Sequence, residues 1–296
     1  MKRIGFIGTG VMGASMVARL CHHGFGLVVF NRSREKAEAI ACQTGSVCGG
    51  SIAETVKEAD AVITILGYPE DVRQVMLGRG GVFESARPGT LVIDMTTSSP
   101  SLAERLYEEG KEAGLALLDA PVSGGDVGAR QGTLSIMAGG DRDAFDRALP
   151  VFSVLGKNIV YMGGAGKGQH TKAANQIAVA GATVAMTEAI LYAEKTGLDP
   201  ETMLRAIGAG AAGSWQISHM APRVLSGDHD PGFFIKHFIK DMRIVEEEMA
   251  GRKAKLPMLH TVLKLYERMA DDGGGDLGTQ ALIRLYRQEN TDSDKN

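Results

Sequence analysis

Cysteine is scarce in this chain. Cys21, Cys42 and Cys48 are the three present in 296 residues. An odd number without paired short spacing argues against a disulfide framework and fits a reducing, cytoplasmic setting. No sign of charge dominates either. Lys and Arg total 32 against 35 Asp and Glu, a net charge of −3 with no long basic stripe. That balance speaks against nucleic acid as the main partner. Uninterrupted apolar runs are short: the longest candidate for a membrane span, Ala173–Leu191, is broken by Asn175, Gln176 and Glu188, so no membrane partner is expected. The opening MKRIGFIGTG passes at once into a strand-like run and a glycine turn, without the apolar region of a secretion signal. The closing ENTDSDKN reads as a solvated tail. His219, His229, His237 and His260 have no metal-ligand spacing, and no metal site is expected.

What is present is an alternation. Short β-rich runs at Arg3–Ile7, Leu27–Phe30, Ala61–Leu66, Leu91–Asp94, Leu115–Asp119 and Leu134–Ala138 are separated by stretches able to hold helices. This predicts an α/β domain, a mainly parallel sheet covered on both faces. After residue 163 the pattern becomes helical. A long alanine-rich helix is expected over 169–194, then helices at Pro200–Gly208, Phe234–Ala250, Leu256–Asp271 and Thr279–Glu289. Gly197 and Gly251 are expected helix stops, and Pro200 and Pro257 starts. The chain therefore reads as two domains, residues 1–163 and an all-helical 164–296, with the 169–194 helix joining them.

The run Gly8-Thr-Gly10-Val11-Met12-Gly13 follows the apolar IGFI and opens a helical pattern. Strand, GxGxxG, helix and second strand within about 30 residues make a dinucleotide fingerprint. Gly8 permits the tight turn, Gly10 lets backbone approach a pyrophosphate, and Gly13 brings helix and sheet together. The phosphate charge then meets a helix N-terminus. The second strand ends in Asn31-Arg32-Ser33, with no acid for the ribose hydroxyls of NAD. Arg32 suits a 2′-phosphate, with Asn31 and Ser33 donating hydrogen bonds, which favours NADP without excluding NAD. Two arginines opening a solvated helix is the plainer alternative. Other strand ends carry Leu66 and Thr96-Thr97, where a ligand is expected in an open α/β sheet. The alternative role of Thr96 and Thr97 is helix capping ahead of Pro100, a role open to Ser98 and Ser99 as well.

A second cluster begins at DAPVSGG, Asp119–Gly125, where Ser123 and the Gly124 and Gly125 amides make a candidate carboxylate nest. GxSxG is absent, so Ser123 is not read as a nucleophile. The stretch GGAGKGQHTKAANQ, 163–176, looks like a phosphate loop, yet Gly166-Lys167 is followed by Gly168, and Tyr161 stands where the first Walker glycine belongs. What remains is a helix carrying Lys172 and Asn175, three apart and so near one face. Among Ala173, Ala174, Ile177 and Ala178 the lysine is expected to be desolvated, which lowers a lysine pKa and suits proton transfer. Asn175 would orient it or fix a substrate oxygen. A lysine snorkelling to solvent from a helix start is the alternative. His170 is a rival acid–base group off that face.

The blocks GFIGTGVMGASMVARL, DMTTSSP, DAPVSGGDVGARQGTLSIMAGG, GAGKGQHTKAANQ and FFIKHFIKDM, in this order, resemble the β-hydroxyacid dehydrogenase family. That family includes 3-hydroxyisobutyrate dehydrogenases, tartronate semialdehyde reductases and glyoxylate/succinic semialdehyde reductases. The resemblance implies a Rossmann-type N-terminal domain with an all-helical C-terminal domain. It implies Lys172 as the catalytic lysine with Asn175 beside it, and Ser123, Gly124 and Gly125 as the substrate-carboxylate loop. Trp215 would lie near the substrate, where a lone Trp would otherwise be read as core. Val11, Met12 and Lys240 would lie near the cofactor, the Lys240-Asp241 pair being otherwise a salt-bridged helix surface. Imine reductases share the architecture but usually replace the lysine. The implied activity is interconversion of a small β-hydroxyacid and its semialdehyde with NADP(H). Reduction of succinic semialdehyde or glyoxylate is the first expectation and NAD-dependent oxidation of 3-hydroxyisobutyrate the alternative. A homodimer or homotetramer is expected. The retained Lys172, Asn175 and Ser123 weigh against a binding module without catalysis.

Overall fold

A computed structural model describes residues 2–292. Among these residues, nine strands form one sheet: β1 (Arg3–Ile7), β2 (Gly26–Phe30), β3 (Val47–Cys48), β4 (Ala61–Thr64), β5 (Leu91–Asp94), β6 (Ala116–Asp119), β7 (Val122–Ser123), β8 (Leu134–Gly140) and β9 (Gly156–Gly163). The order is β3-β2-β1-β4-β5-β6-β8-β7, with β9 also paired to β8. The first six are parallel, β8 runs antiparallel to β6 and β7, and β9 is parallel to β8. The order reverses direction between β1 and β4, and open α/β sheets bind ligands beyond the carboxyl ends of strands at such a point.

Side-chain alternation explains how the sheet is covered twice. Ile4, Phe6, Ile63, Leu91 and Ile93 face one core with Met16, Val17 and Leu20 of the helix Val11–His22 and Phe145 and Phe152 of the helix Arg142–Leu155. Ile7, Val62, Val92 and Leu117 face the other, with Val72, Met76 and Leu106. The strands that sequence reading left out are the two-residue β3 and β7 and the edge strand β9. The last begins Gly-Lys-Asn and is largely half-buried or exposed, so its apolar signal is weak.

Internal contacts divide the chain after Lys172, nine residues beyond the expected boundary at 163, because the first turn of the long helix packs with the sheet. That helix runs Lys167–Thr196 and stops at Gly197, whose φ of 74° favours glycine. By length and apolar content it is enough to cross a membrane. Its buried positions nonetheless include Gln169, Lys172, Gln176, Thr183 and Thr187, a polar stripe at helical spacing inside the protein.

The second unit is helical. Ile235, Phe238, Ile239, Met242 and Val245 recur at helical spacing on the helix Ile235–Gly251 and pack against Leu259, Val262, Leu263 and Tyr266 of the helix Pro257–Asp271. Gly251 closes the first of these as its last residue, and the chain turns at Lys253, with φ 55°. Two short pieces, a π-helical turn Gln216–Met220 and the helix Ala221–Leu225, were not read from sequence. The expected tail is instead helical through Asp292, in the helix Leu282–Asp292, and residues 293–296 lie outside the described ones.

Candidate active site

Two of the fingerprint glycines sit where backbone crowds them. Gly8 has φ 104°, and a Cβ there would sit 2.1 Å from the Ile65 carbonyl oxygen. A Cβ on Gly13 would sit 1.9 Å from the Gly8 oxygen, so helix and turn touch backbone to backbone. Gly10 differs: a Cβ there would meet nothing within 4 Å. Nothing inside the fold demands glycine at that position. Its bareness leaves open space beside the N-terminus of the helix Val11–His22, where Gly10 provides no side-chain cap. Val11 is half-exposed there and Met12 partly buried against the core. The Thr9 hydroxyl is buried without a partner. Uncapped amides, a bare approach and an orphaned hydroxyl fit a dinucleotide pyrophosphate.

Asn31 does something sequence reading did not assign. Its Oδ1 accepts the Thr9 amide at 3.1 Å, and its Nδ2 donates to the Ser33 carbonyl at 3.0 Å. It therefore ties the end of β2 to the glycine turn. Ser33 precedes the helix Arg34–Thr44 without a side-chain capping bond. The Arg32 side chain is 88% exposed and meets Asp71 at 3.3 Å. Leu66 and Thr96 are joined: the Leu66 amide donates to the Thr96 hydroxyl oxygen at 2.9 Å, and Thr96 is buried. This bond connects the ends of β4 and β5. Ser99 is the helix cap ahead of Pro100, accepting the Leu102 amide at 3.2 Å.

The second cluster and Lys172 both lie in the first compact unit, Met1–Lys172. Ser123 ends β7, and Gly124 and Gly125 turn the chain with φ 125° and 62°. Lys172 is 7% exposed, so the burial expected from its alanine-rich surroundings is present and the snorkelling alternative is not. The residue overlooked is Asp119, at the end of β6. It is 6% exposed, and its two oxygens accept the Gly166 amide at 2.8 Å and the Gln169 amide at 2.9 Å. The phosphate-like loop before the helix thus already holds an anion, the protein's own carboxylate. Burial pushes the Asp119 carboxyl up to about 6 despite these hydrogen bonds, and the neighbouring Asp94 on β5 adds to the rise. Gln169 is also overlooked: its Nε2 donates to the Thr96 carbonyl at 2.7 Å and its Oε1 accepts the Ser98 amide at 2.9 Å.

In the second unit, Asn175 Nδ2 donates to Gln176 Oε1 at 2.8 Å, and Gln176 Nε2 donates to Asp241 Oδ2 at 2.7 Å. Asp241 pairs with Lys240 at 2.8 Å, with side chains 2% and 11% exposed. The Lys240-Asp241 pair is therefore buried, not a helix-surface salt bridge. Gln176 was legible only as part of a motif; its spacing, seven from Gln169 and four from Lys172, is the signal that marks it. Trp215 is 52% exposed and stacks on His219 with centroids 5.1 Å apart. It is not a core residue. It precedes a π-helical turn, a form frequent at functional sites.

A mainly parallel sheet reversing at β1 and β4, with a glycine turn open at that point, defines a dinucleotide-binding protein. The family described as the NAD binding domain of 6-phosphogluconate dehydrogenase matches residues 3–163, and that described as NAD-binding of NADP-dependent 3-hydroxyisobutyrate dehydrogenase matches residues 166–286. The chain belongs to the 3-hydroxyisobutyrate dehydrogenase-like family of oxidoreductases. It is 49% identical to the uncharacterized oxidoreductase YkwC of Bacillus subtilis over 96% of this chain and 99% of the relative. It is 44% identical to the probable 3-hydroxyisobutyrate dehydrogenase-like 1, mitochondrial, of Arabidopsis thaliana, over 97% and 86% of the two chains. A solved structure of Mycobacterium tuberculosis 3-hydroxyisobutyrate dehydrogenase with L-serine superposes with a TM-score of 0.88 at 33% identity, covering 97% of this chain and 99% of the other.

Proposed function

We propose that this enzyme oxidises a small β-hydroxyacid of the 3-hydroxyisobutyrate type to its semialdehyde, with Lys172 as the acid–base group. The observation carrying the reading is a buried lysine on a helix whose first turn is anchored to the ends of β5 and β6. The named relatives favour this alternative over the succinic semialdehyde or glyoxylate reduction that the sequence put first. A nicotinamide dinucleotide, when bound, supplies the hydride acceptor. Gly8, Gly10 and Gly13 would hold its pyrophosphate, with Val11, Met12 and the Leu66–Thr96 strand ends alongside. Arg32, with Asn31 and Ser33 at the end of β2, favours NADP over NAD. Ser123 and the Gly124 and Gly125 amides hold the substrate carboxylate. Lys172 Nζ takes the hydroxyl proton as hydride leaves the carbon and returns it in the reverse direction. Asn175, Trp215 and Lys240 are assigned to substrate positioning and cofactor support. The protein is read as a cytoplasmic homodimer or homotetramer.

The decisive experiment assays 3-hydroxyisobutyrate, its homologues, succinic semialdehyde and glyoxylate with both dinucleotides. Oxidation of 3-hydroxyisobutyrate should have the highest kcat/KM. Lys172→Ala should lower kcat by roughly 10²–10⁴-fold, the range of a lost general acid–base group, while dinucleotide affinity stays within about threefold. Wild-type turnover in that variant would remove Lys172 from the mechanism. A higher kcat/KM for succinic semialdehyde or glyoxylate would restore the first expectation.

A further inference from the structure

The helix that carries Lys172 begins at a carboxylate. Asp119 Oδ1 and Oδ2 accept the Gly166 and Gln169 amides, donors a helix N-terminus leaves unpaired. The backbone closes around this group so tightly that two glycines are required. A Cβ on Gly139 would lie 2.7 Å from Asp119 Oδ1, and one on Gly168 would lie 2.4 Å from the Asp119 carbonyl oxygen and 2.8 Å from Oδ2. Gln169 adds a second anchor through its bonds to the Thr96 carbonyl and Ser98 amide. Lys172 is the next buried residue on this face, three positions and so almost one turn further on.

We propose that Asp119 is a positioning residue for the acid–base lysine: by gripping the first helical turn from the end of β6, it sets where Lys172 stands relative to the substrate loop Ser123–Gly125, four to six residues beyond Asp119 itself. One short segment, 119–125, then defines both the substrate carboxylate position and the helix that brings the proton-transfer group. The burial that pushes the Asp119 carboxyl upward makes its ionised form costly to stability, which points to a role other than stabilisation. The assignment rests on the reading of Lys172 as the acid–base group.

Asp119→Asn, Asp119→Glu and Gln169→Met test it. Hydrogen exchange across 163–172 should accelerate in Asp119→Asn. Its kcat should fall about 100-fold, as a displacement near 1 Å does in an active site, with KM and dinucleotide affinity within about threefold. Asp119→Glu, which keeps the charge, should recover part of that loss. If Asp119→Asn does not fold, Gln169→Met keeps the carboxylate and should lower kcat about tenfold with the same unchanged affinities, a smaller displacement of the same kind. Wild-type kcat in the folded variants would overturn the proposal, as would losses of kcat, KM and dinucleotide affinity in equal proportion. Lys172→Ala separates the two readings. If it keeps turnover, the lysine assignment fails even where exchange shows Asp119 gripping the helix; if it loses turnover while Asp119→Asn does not, only the positioning role fails.

Discussion

Arg32 is a charged side chain at the end of β2, almost fully exposed and met by Asp71. A guanidinium there is available to a 2′-phosphate at modest desolvation cost. Arg32→Ala should raise KM for NADPH about tenfold, the worth of one charge-assisted contact near 1.4 kcal/mol, and change KM for NADH less than about twofold. Equal effects on both cofactors would make Arg32 a generic surface charge. The glycines at 8, 10 and 13 were legible because what a glycine permits is local: a positive φ, a touching backbone, a bare surface. Asp119, Gln169 and Gln176 were not legible as working residues. Their partners lie 50, 71 and 65 residues away in sequence; the spacing that aligns Gln169 and Gln176 with Lys172 does not say which partners they find.

At the scale of elements, the helix after β1 meets the glycine turn backbone on backbone at Gly13. Gly13→Ala would force a methyl carbon to within 1.9 Å of the Gly8 oxygen, which no rotamer change relieves. It should destabilise the protein by about 2–3 kcal/mol, the upper part of the usual overpacking range, and weaken dinucleotide binding together with it. Thermal unfolding and cofactor titration check this. A variant of wild-type stability would mean that helix and turn have room to separate. The long helix was expected from alanine content and found two residues longer at each end. Its buried stripe is polar at Gln169, Lys172 and Gln176, so a search for apolar periodicity alone passes over the face that matters. Edge strand β9 escaped for a related reason: half-exposed edge residues carry little alternation.

Across the whole molecule, ionisation links stability to pH with two opposing signs. The carboxyls of Asp60 and Asp228 sit below their usual range because they accept hydrogen bonds, from the Lys2 amide and from Arg223 respectively. Such groups stabilise above their unfolded pKa, and the contribution is lost as pH falls. Asp119 works the other way. Burial raises its carboxyl to about 6, so the folded state holds that proton more tightly than the unfolded chain does. Its contribution favours folding at low pH and is lost as pH rises from about 4 to about 6. The stability of wild type minus that of Asp119→Asn, followed by denaturant titration, should therefore decline over this interval and level off near pH 7. A flat difference would mean that burial does not raise the Asp119 carboxyl in the folded state.

The amino-acid sequence by itself determined the two-part architecture, the dinucleotide turn and the place of Lys172 on a helix, since periodicity, glycine spacing and family blocks are properties of neighbouring residues. Tertiary structure alone decided that the phosphate-like loop at 163–168 is occupied by the protein's own carboxylate. It also decided that Asn31 braces the glycine turn and that the Lys240-Asp241 pair is buried. The physical reason is the same in each case: most polar groups withdrawn from water are paired, and which partner each finds depends on strand order and crossing helices that no stretch of the chain encodes on its own.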